Sequence, residues 1–170
     1  VSEPLIQIVD EHDRPIGVAS IEEAQNEGLI QQISRVMVED ENGNILLQKR
    51  AGHKRLFPNR WDNSVAGHVD EGEDYLKAAF REMEEEIGLN GVELQEIGYF
   101  YTSFMFNHMK LNQFQRIYKT VISQDTGFKL DPDEVSEVKW FTKAELRDLL
   151  ATQSDSLTVG LAETLKRFYS

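Results

Sequence analysis

Glu82, Glu85 and Glu86 lie in a segment, Glu73 to Ile87, whose apolar residues repeat at helical spacing. At 3.6 residues per turn the three carboxylates share an arc of roughly 100°. Like charges so placed repel by about 0.2–0.5 kcal/mol per pair, and near a helix C-terminus the dipole opposes them further. Helix stability alone does not put them there. A bound divalent cation would turn the repulsion into a site, because hard Mg2+ wants several oxygen ligands in a small space. Taken alone, such a cluster is more often a solvated acidic face, so the surrounding residues have to decide.

The same spacing places Leu76, Ala79, Phe80, Met83 and Ile87 on an adjoining stripe that reads as the core face, and Gly88 reads as the C-cap. Upstream, Leu5 to Val9 and Ile16 to Ala19 read as short strands joined by a turn, and Ser20 with Glu23 caps a short helix stopped near Gly28. Ile33 to Val38 and Ile45 to Gln48 flank Glu41-Asn42-Gly43-Asn44, a hairpin signal because Asn-Gly tolerates positive φ. A basic loop follows, then a short strand at Ser64 and Val65. Downstream, Val92 to Tyr101 and Phe114 to Ile122 read as strands joined by a longer loop, with another strand at Val135 to Trp140. Thr142 with Glu145 caps a helix, and Ser156 to Tyr169 reads as the last one. Strands in hairpins and around helices predict an α/β (α+β) arrangement with a mixed sheet.

The 170 residues suffice for one domain with a sizeable core. No apolar run approaches the ~20 residues that span a bilayer. The Val1-Ser2-Glu3 start lacks the basic and apolar stretches of a secretory signal, and there is no cysteine, so a cytoplasmic address is expected. The absence of cysteine excludes disulfides, thiolate metal sites and a cysteine nucleophile. A net charge of −12 argues against a nucleic-acid groove.

Residues 67–89 start Gly67-His68-Val69-Asp70-Glu71-Gly72-Glu73 and finish Arg81-Glu82-Met83-Glu84-Glu85-Glu86-Ile87-Gly88-Leu89. This resembles the Nudix box: Gly, five residues, Glu, seven residues, then Arg-Glu-aliphatic-any-Glu-Glu-any-Gly-aliphatic. Every fixed position is filled at its spacing. The resemblance implies a single Nudix hydrolase domain over residues 1–170, a mixed β-sheet sandwiched between helices with an N-terminal β-hairpin extension. It implies an Mg2+-dependent hydrolase, with Mn2+ as a substitute, that cleaves a phosphoanhydride bond in a nucleoside di- or triphosphate or a nucleotide sugar. Carried over residue by residue, Glu82, Glu85 and Glu86 are the metal ligands, Glu82 doubles as a candidate base, and Arg81 orients the carboxylates. Glu73 is structural. Gly67 lets the backbone approach and offers its carbonyl as a further ligand. Outside the box Glu134 is the candidate added acid, with Glu137 as alternate, and an ordinary turn acid in Asp131-Pro132-Asp133-Glu134 is the competing explanation.

Gln48-Lys49-Arg50, Lys54, Pro58 and Trp61-Asp62-Asn63-Ser64-Val65-Ala66-Gly67-His68 look like the isopentenyl-diphosphate isomerase branch of the family. The isomerases carry a catalytic cysteine where this chain has Ala66, and upstream metal-binding histidines where it has none between His12 and His53. The expectation is therefore a hydrolase on an isomerase-like frame. An isomerase-like enzyme and a non-catalytic nucleotide-binding module are the alternatives. Of Lys49, Arg50, Lys54 and Arg55, the resemblance favours Arg50 and Lys54 as phosphate-binding, against a solvated loop. His68 has an open role, and Trp61 is expected in the core rather than stacked on a base. The partner expected is a small-molecule diphosphate, with neither nucleic acid nor membrane, bound by a monomer or homodimer.

Overall fold

The computed structural model describes residues 4–170, so the reading of Val1-Ser2-Glu3 lies outside the described residues. Strands β1 (Ile6–Val9) and β2 (Pro15–Ala19) form the expected hairpin, followed by α1 (Ile21–Glu27). Ser20 Oγ accepts the Glu23 amide at 3.1 Å, and Gly28 ends the helix at φ 68°. Strand β3 (Ile30–Glu39) is the axis of the sheet. One edge runs parallel to β8 (Met109–Val121) along its whole length. The other edge is divided in turn among β1, β6 (Val65–His68) and β4 (Ile45–Arg50). Strand β4 also pairs with β5 (Trp61–Asp62) and β9 (Val135–Phe141), and β7 (Gln95–Phe106) pairs with β8.

Because side chains alternate along a strand, β3 and β4 can feed two cores at once. Val36, Val38 and Leu46 pack beneath α2 (Tyr75–Ile87) with Ala79 and Met83. Met37, Ile45 and Leu47 pack on the opposite face with Leu146 of α3 (Lys143–Thr152) and Leu161 of α4 (Val159–Phe168). The sheet is therefore sandwiched between helices, and α2 lies across the face that β3 and β6 present.

Three element expectations are corrected. The strands read as Val92 to Tyr101 and Phe114 to Ile122 are one long hairpin turning at Asn107-His108, with Asn107 at φ 55°, and no longer loop joins them. Its inner half escaped the pattern because polar residues there have partners: Ser103 bonds Asn112 at 2.6 Å, and Asn112 Nδ2 donates to the Gly28 carbonyl at 2.8 Å. Leu76 and Phe80 are exposed, since the buried arc of α2 is centred on Ala78, Ala79 and Met83 and takes in Glu86. The last helix starts only at Val159. Ahead of it a single 3-10 turn at Ser154–Ser156 leads into extended Leu157, whose bridge to Trp61 draws the chain out of the helix.

Candidate active site

Helix α2 starts at Tyr75, two residues later than its pattern suggests. Asp74 is the N-cap, accepting the Lys77 amide at 2.8 Å, which frees the preceding Glu73 to face the loop. Glu73 accepts the Asp70 amide at 2.9 Å and both Nε and Nη2 of Arg81 at 2.8 Å. The Arg81 guanidinium also reaches Glu82 at 2.8 Å, Glu85 at 3.2 Å and the His68 carbonyl at 3.0 Å. Bidentate pairing with Glu73 fixes the plane of the guanidinium, and its remaining donors then fix the two carboxylates. The bond from Arg81 holds Glu73 below the usual carboxylate range, and the acids around Arg81, Glu73 first, hold the guanidinium firmly charged.

Glu86 is buried at the other side of this cluster. Gln48 Nε2 donates to its Oε1 at 2.6 Å, and the Ala66 amide at 3.3 Å. Burial, and then the neighbouring Glu82 carboxylate, push Glu86 well above the usual carboxylate range. Burial lifts Glu82 as well, against the hydrogen bond it shares with Glu86 and the charge of Arg81. Facing them, β6 presents Gly67, where an added Cβ would stand 2.2 Å from the Glu82 carboxyl carbon. The backbone and the carboxylate approach each other as closely as a residue without a side chain permits.

These groups line one wall of a cavity of about 650 Å³ that also receives Arg50, Lys54 and Glu134. The structure brings together two residues expected to serve different partners: Lys54 Nζ lies 2.6 Å from Glu134 Oε2. Glu137 instead faces Lys49 across the β4–β9 ladder. Arg50 donates to the Leu56 carbonyl at 2.9 Å and reaches Asp62 at 3.4 Å, so it braces the basic loop from inside.

Residues 31–161 match the NUDIX domain family. The chain belongs to the Nudix family. It is 31% identical to "Isopentenyl-diphosphate Delta-isomerase 2" of Photorhabdus laumondii over 91% of this chain and 86% of that protein. It is 34% identical to "Uncharacterized Nudix hydrolase YfcD" of Escherichia coli (strain K12) over 83% of this chain and 75% of the relative. In fold it is similar to the crystal structure of DR0079 from Deinococcus radiodurans, with a TM-score of 0.79 and 24% identity, covering 98% of this chain and 99% of the other. These similarities put the chain among the Nudix hydrolases, on the isopentenyl-diphosphate isomerase-like branch.

The Nudix box residues fit a divalent cation on three grounds. Their donors are hard oxygens, buried Glu86 lies against half-buried Glu82 at a cost that a cation would relieve, and the missing side chain at Gly67 lets the backbone lie against Glu82. Among the described residues, no three acid or histidine groups are yet gathered about one point. Arg81 takes up the charge of Glu82 and Glu85, and Lys54 that of Glu134. His68 Nε2 lies 2.8 Å from Gln31 Oε1, and burial, with Lys54 and the arginines adding, lowers its pKa to about 3, so the ring is neutral. Trp61 packs in the second core cluster, edge-on to Phe141 at 5.0 Å.

Sequence reasoning missed the floor of the cavity. Arg35, buried in mid-β3, donates to Asp62 at 2.7 Å and Asn63 at 2.9 Å and bonds Gln115. Gly160 exists to admit it, since a Cβ there would stand 2.1 Å from the guanidinium carbon. The available signal was an arginine inside the apolar run Ile33-Ser34-Arg35-Val36. A charge at such a place needs a buried partner.

Proposed function

We propose that this Nudix hydrolase cleaves a phosphoanhydride bond of a nucleoside diphosphate-type substrate, a nucleoside di- or triphosphate or a nucleotide sugar, with Mg2+ as its ion and Mn2+ as a substitute. The observation that carries the reading is buried Glu86 lying against half-buried Glu82, set against Gly67. Glu82, Glu85 and Glu86 would hold the ion with the Gly67 carbonyl, and Glu134 would join them on parting from Lys54. A bound Mg2+ draws charge from phosphoryl oxygens and lowers the pKa of its water. Arg81 orients Glu82 and Glu85, Gln48 and the Ala66 amide hold Glu86, and Glu82 is the candidate base. Lys54 and Arg50 supply positive charge on the side where phosphate would lie. The working unit is one domain over residues 1–170, cytoplasmic, monomeric or homodimeric, with a small-molecule partner and no nucleic acid.

A second reading, the isomerase, is favoured by the name of the Photorhabdus relative. Ala66 stands against it, because the resemblance places the isomerase thiol there and a methyl group cannot move a proton. Phosphate release from nucleotides, nucleotide sugars, dinucleotides and isoprenoid diphosphates, with and without Mg2+, tests both. Magnesium-dependent release that collapses in Glu86→Gln is the expected result. Release indifferent to Glu86 would sink the mechanism, and a shifted double bond in isopentenyl diphosphate with no phosphate released would favour the isomerase.

A further inference from the structure

Five cationic side chains line the cavity: Arg35, Arg50, Lys54, Arg55 and Arg81. Four of them already have a carboxylate within 3.4 Å. Arg35 and Arg50 share Asp62 at 2.7 and 3.4 Å, Lys54 holds Glu134 at 2.6 Å, and Arg81 holds Glu73 at 2.8 Å. Arg55 differs. Its nearest carboxylate among the described residues is Glu22, 3.9 Å away and largely solvent-exposed, a distance and setting at which an ion pair is worth little. Its guanidinium is instead anchored by a neutral group, donating from Nη2 to Gln25 Oε1.

Gln25 is itself unusual. Helix α1 buries only Ala24 and Gln25, and the latter is 1% exposed although its side chain is polar. A long amide is buried at a cost unless it is hydrogen-bonded, and its oxygen is spent on Arg55. Ile21, Glu22 and Gln25 all line the cavity, so the N-terminal extension forms a wall of the site as well as a flank of the sheet. An amide partner orients a guanidinium while leaving its charge and its other N–H donors uncommitted.

From this charge accounting we propose that Arg55 binds a phosphoryl group of the substrate, and that Gln25 is the positioning residue that aims it. The proposal rests on the diphosphate-hydrolase reading above and assigns the phosphate contact to a residue other than Arg50 and Lys54. A hydrogen-bonded charge pair made on binding contributes alike to ground and transition states, so its loss raises KM more than it lowers kcat.

The test uses the full chain and two readouts: steady-state kinetics on any diphosphate that is turned over, and calorimetric binding of methylenediphosphonate, whose bridge cannot be hydrolysed, in Mg2+ buffer. Arg55→Gln is expected to weaken diphosphonate binding and raise KM by about tenfold or more, with a smaller change in kcat. Arg55→Lys recovers part of the loss. Gln25→Leu, close to Gln in size, is expected to raise KM while melting like wild type, and Gln25→Leu with an unchanged KM would remove Gln25 from the proposal. Wild-type KM and diphosphonate affinity in Arg55→Gln would overturn it altogether, as would a wild-type chain that binds no diphosphonate. If no compound is hydrolysed but Arg55→Gln still loses diphosphonate binding, the hydrolase reading fails and the assignment of Arg55 stands.

Discussion

A side chain at position 67 would take the space that Glu82 occupies. The nearest atom to an added Cβ is the carboxyl carbon of Glu82 at 2.2 Å, with Glu82 Cγ and Oε1 both at 2.5 Å. Glu82 cannot retreat freely, because Arg81 Nη1 holds its Oε1 and Arg81 is clamped by Glu73. Gly67→Ala should therefore push the Glu82 carboxylate out of place while leaving the fold intact, since Gly67 is only partly buried at the end of β6. A shift of about 1 Å in a catalytic group costs on the order of a hundredfold in rate. The expected outcome is a loss of magnesium-dependent turnover of that order, with a melting temperature close to wild type. A fully active alanine variant would mean that the chemistry does not pass through Glu82.

Among the elements, one carboxylate ties the N-terminal hairpin to three others. Asp13, in the β1–β2 turn at φ 61°, accepts from Tyr75 of α2 at 2.7 Å and Tyr99 of β7 at 2.6 Å on one oxygen. Its other oxygen accepts from Gln32 of β3 at 2.8 Å. Arg116 lies over both tyrosine rings, 4.7 and 4.2 Å from their centroids, and burial followed by the Asp13 bond pushes the Tyr99 phenol up to about 12. Asp13→Ala leaves the hydroxyl of buried Tyr75 without its acceptor, a cost of about 1–3 kcal/mol. The N-terminal hairpin should then lose amide protection before the central sheet does, read residue by residue by hydrogen exchange. Uniform loss across the sheet would show that Asp13 supports global stability and is not a local latch.

The sequence disclosed what is local and hid what is long-range. The caps at Ser20 and Thr142, the Asn42-Gly43 turn and the helix ending at Gly88 are written in neighbouring residues and stand where they were expected. The spacing of Glu82, Glu85 and Glu86 was legible for the same reason. Asp13 looked like a turn residue because its partners lie up to 86 positions away. Arg35 meets Asp62 and Gln115 only once β3, β5 and β8 are side by side. Leu76 and Phe80 were misassigned because hydrophobic periodicity counts every large apolar side chain as buried. The orientation of α2 is set by burying Glu86 and the small Ala78 against the sheet.

On the scale of the whole molecule, the site should be visible in the unfolding equilibrium. The net charge is −12, and within that field Glu86 is buried beside Glu82. Its folded pKa is raised above its unfolded value of about 4.3, so the neutral form is the one that suits the metal-free fold. The stability this contributes is complete below the unfolded value and is lost as pH rises through the folded one. Glu86→Gln keeps the shape and the hydrogen bond from Gln48 but never ionises. Without divalent cation it should therefore melt above wild type at neutral pH, with the gap closing as pH falls towards about 4. Exposed Glu84 provides the control, since Glu84→Gln changes the net charge equally without touching the pair. Adding Mg2+ should reverse the order, because a ligand bound only by the folded state stabilises it by mass action, and Glu86→Gln has surrendered a ligand charge. A metal-free Glu86→Gln that melts below wild type at neutral pH would show that the buried charge is not a burden on the fold. Equal stabilisation of both proteins by Mg2+ would place the ion somewhere other than the Glu82–Glu86 pair.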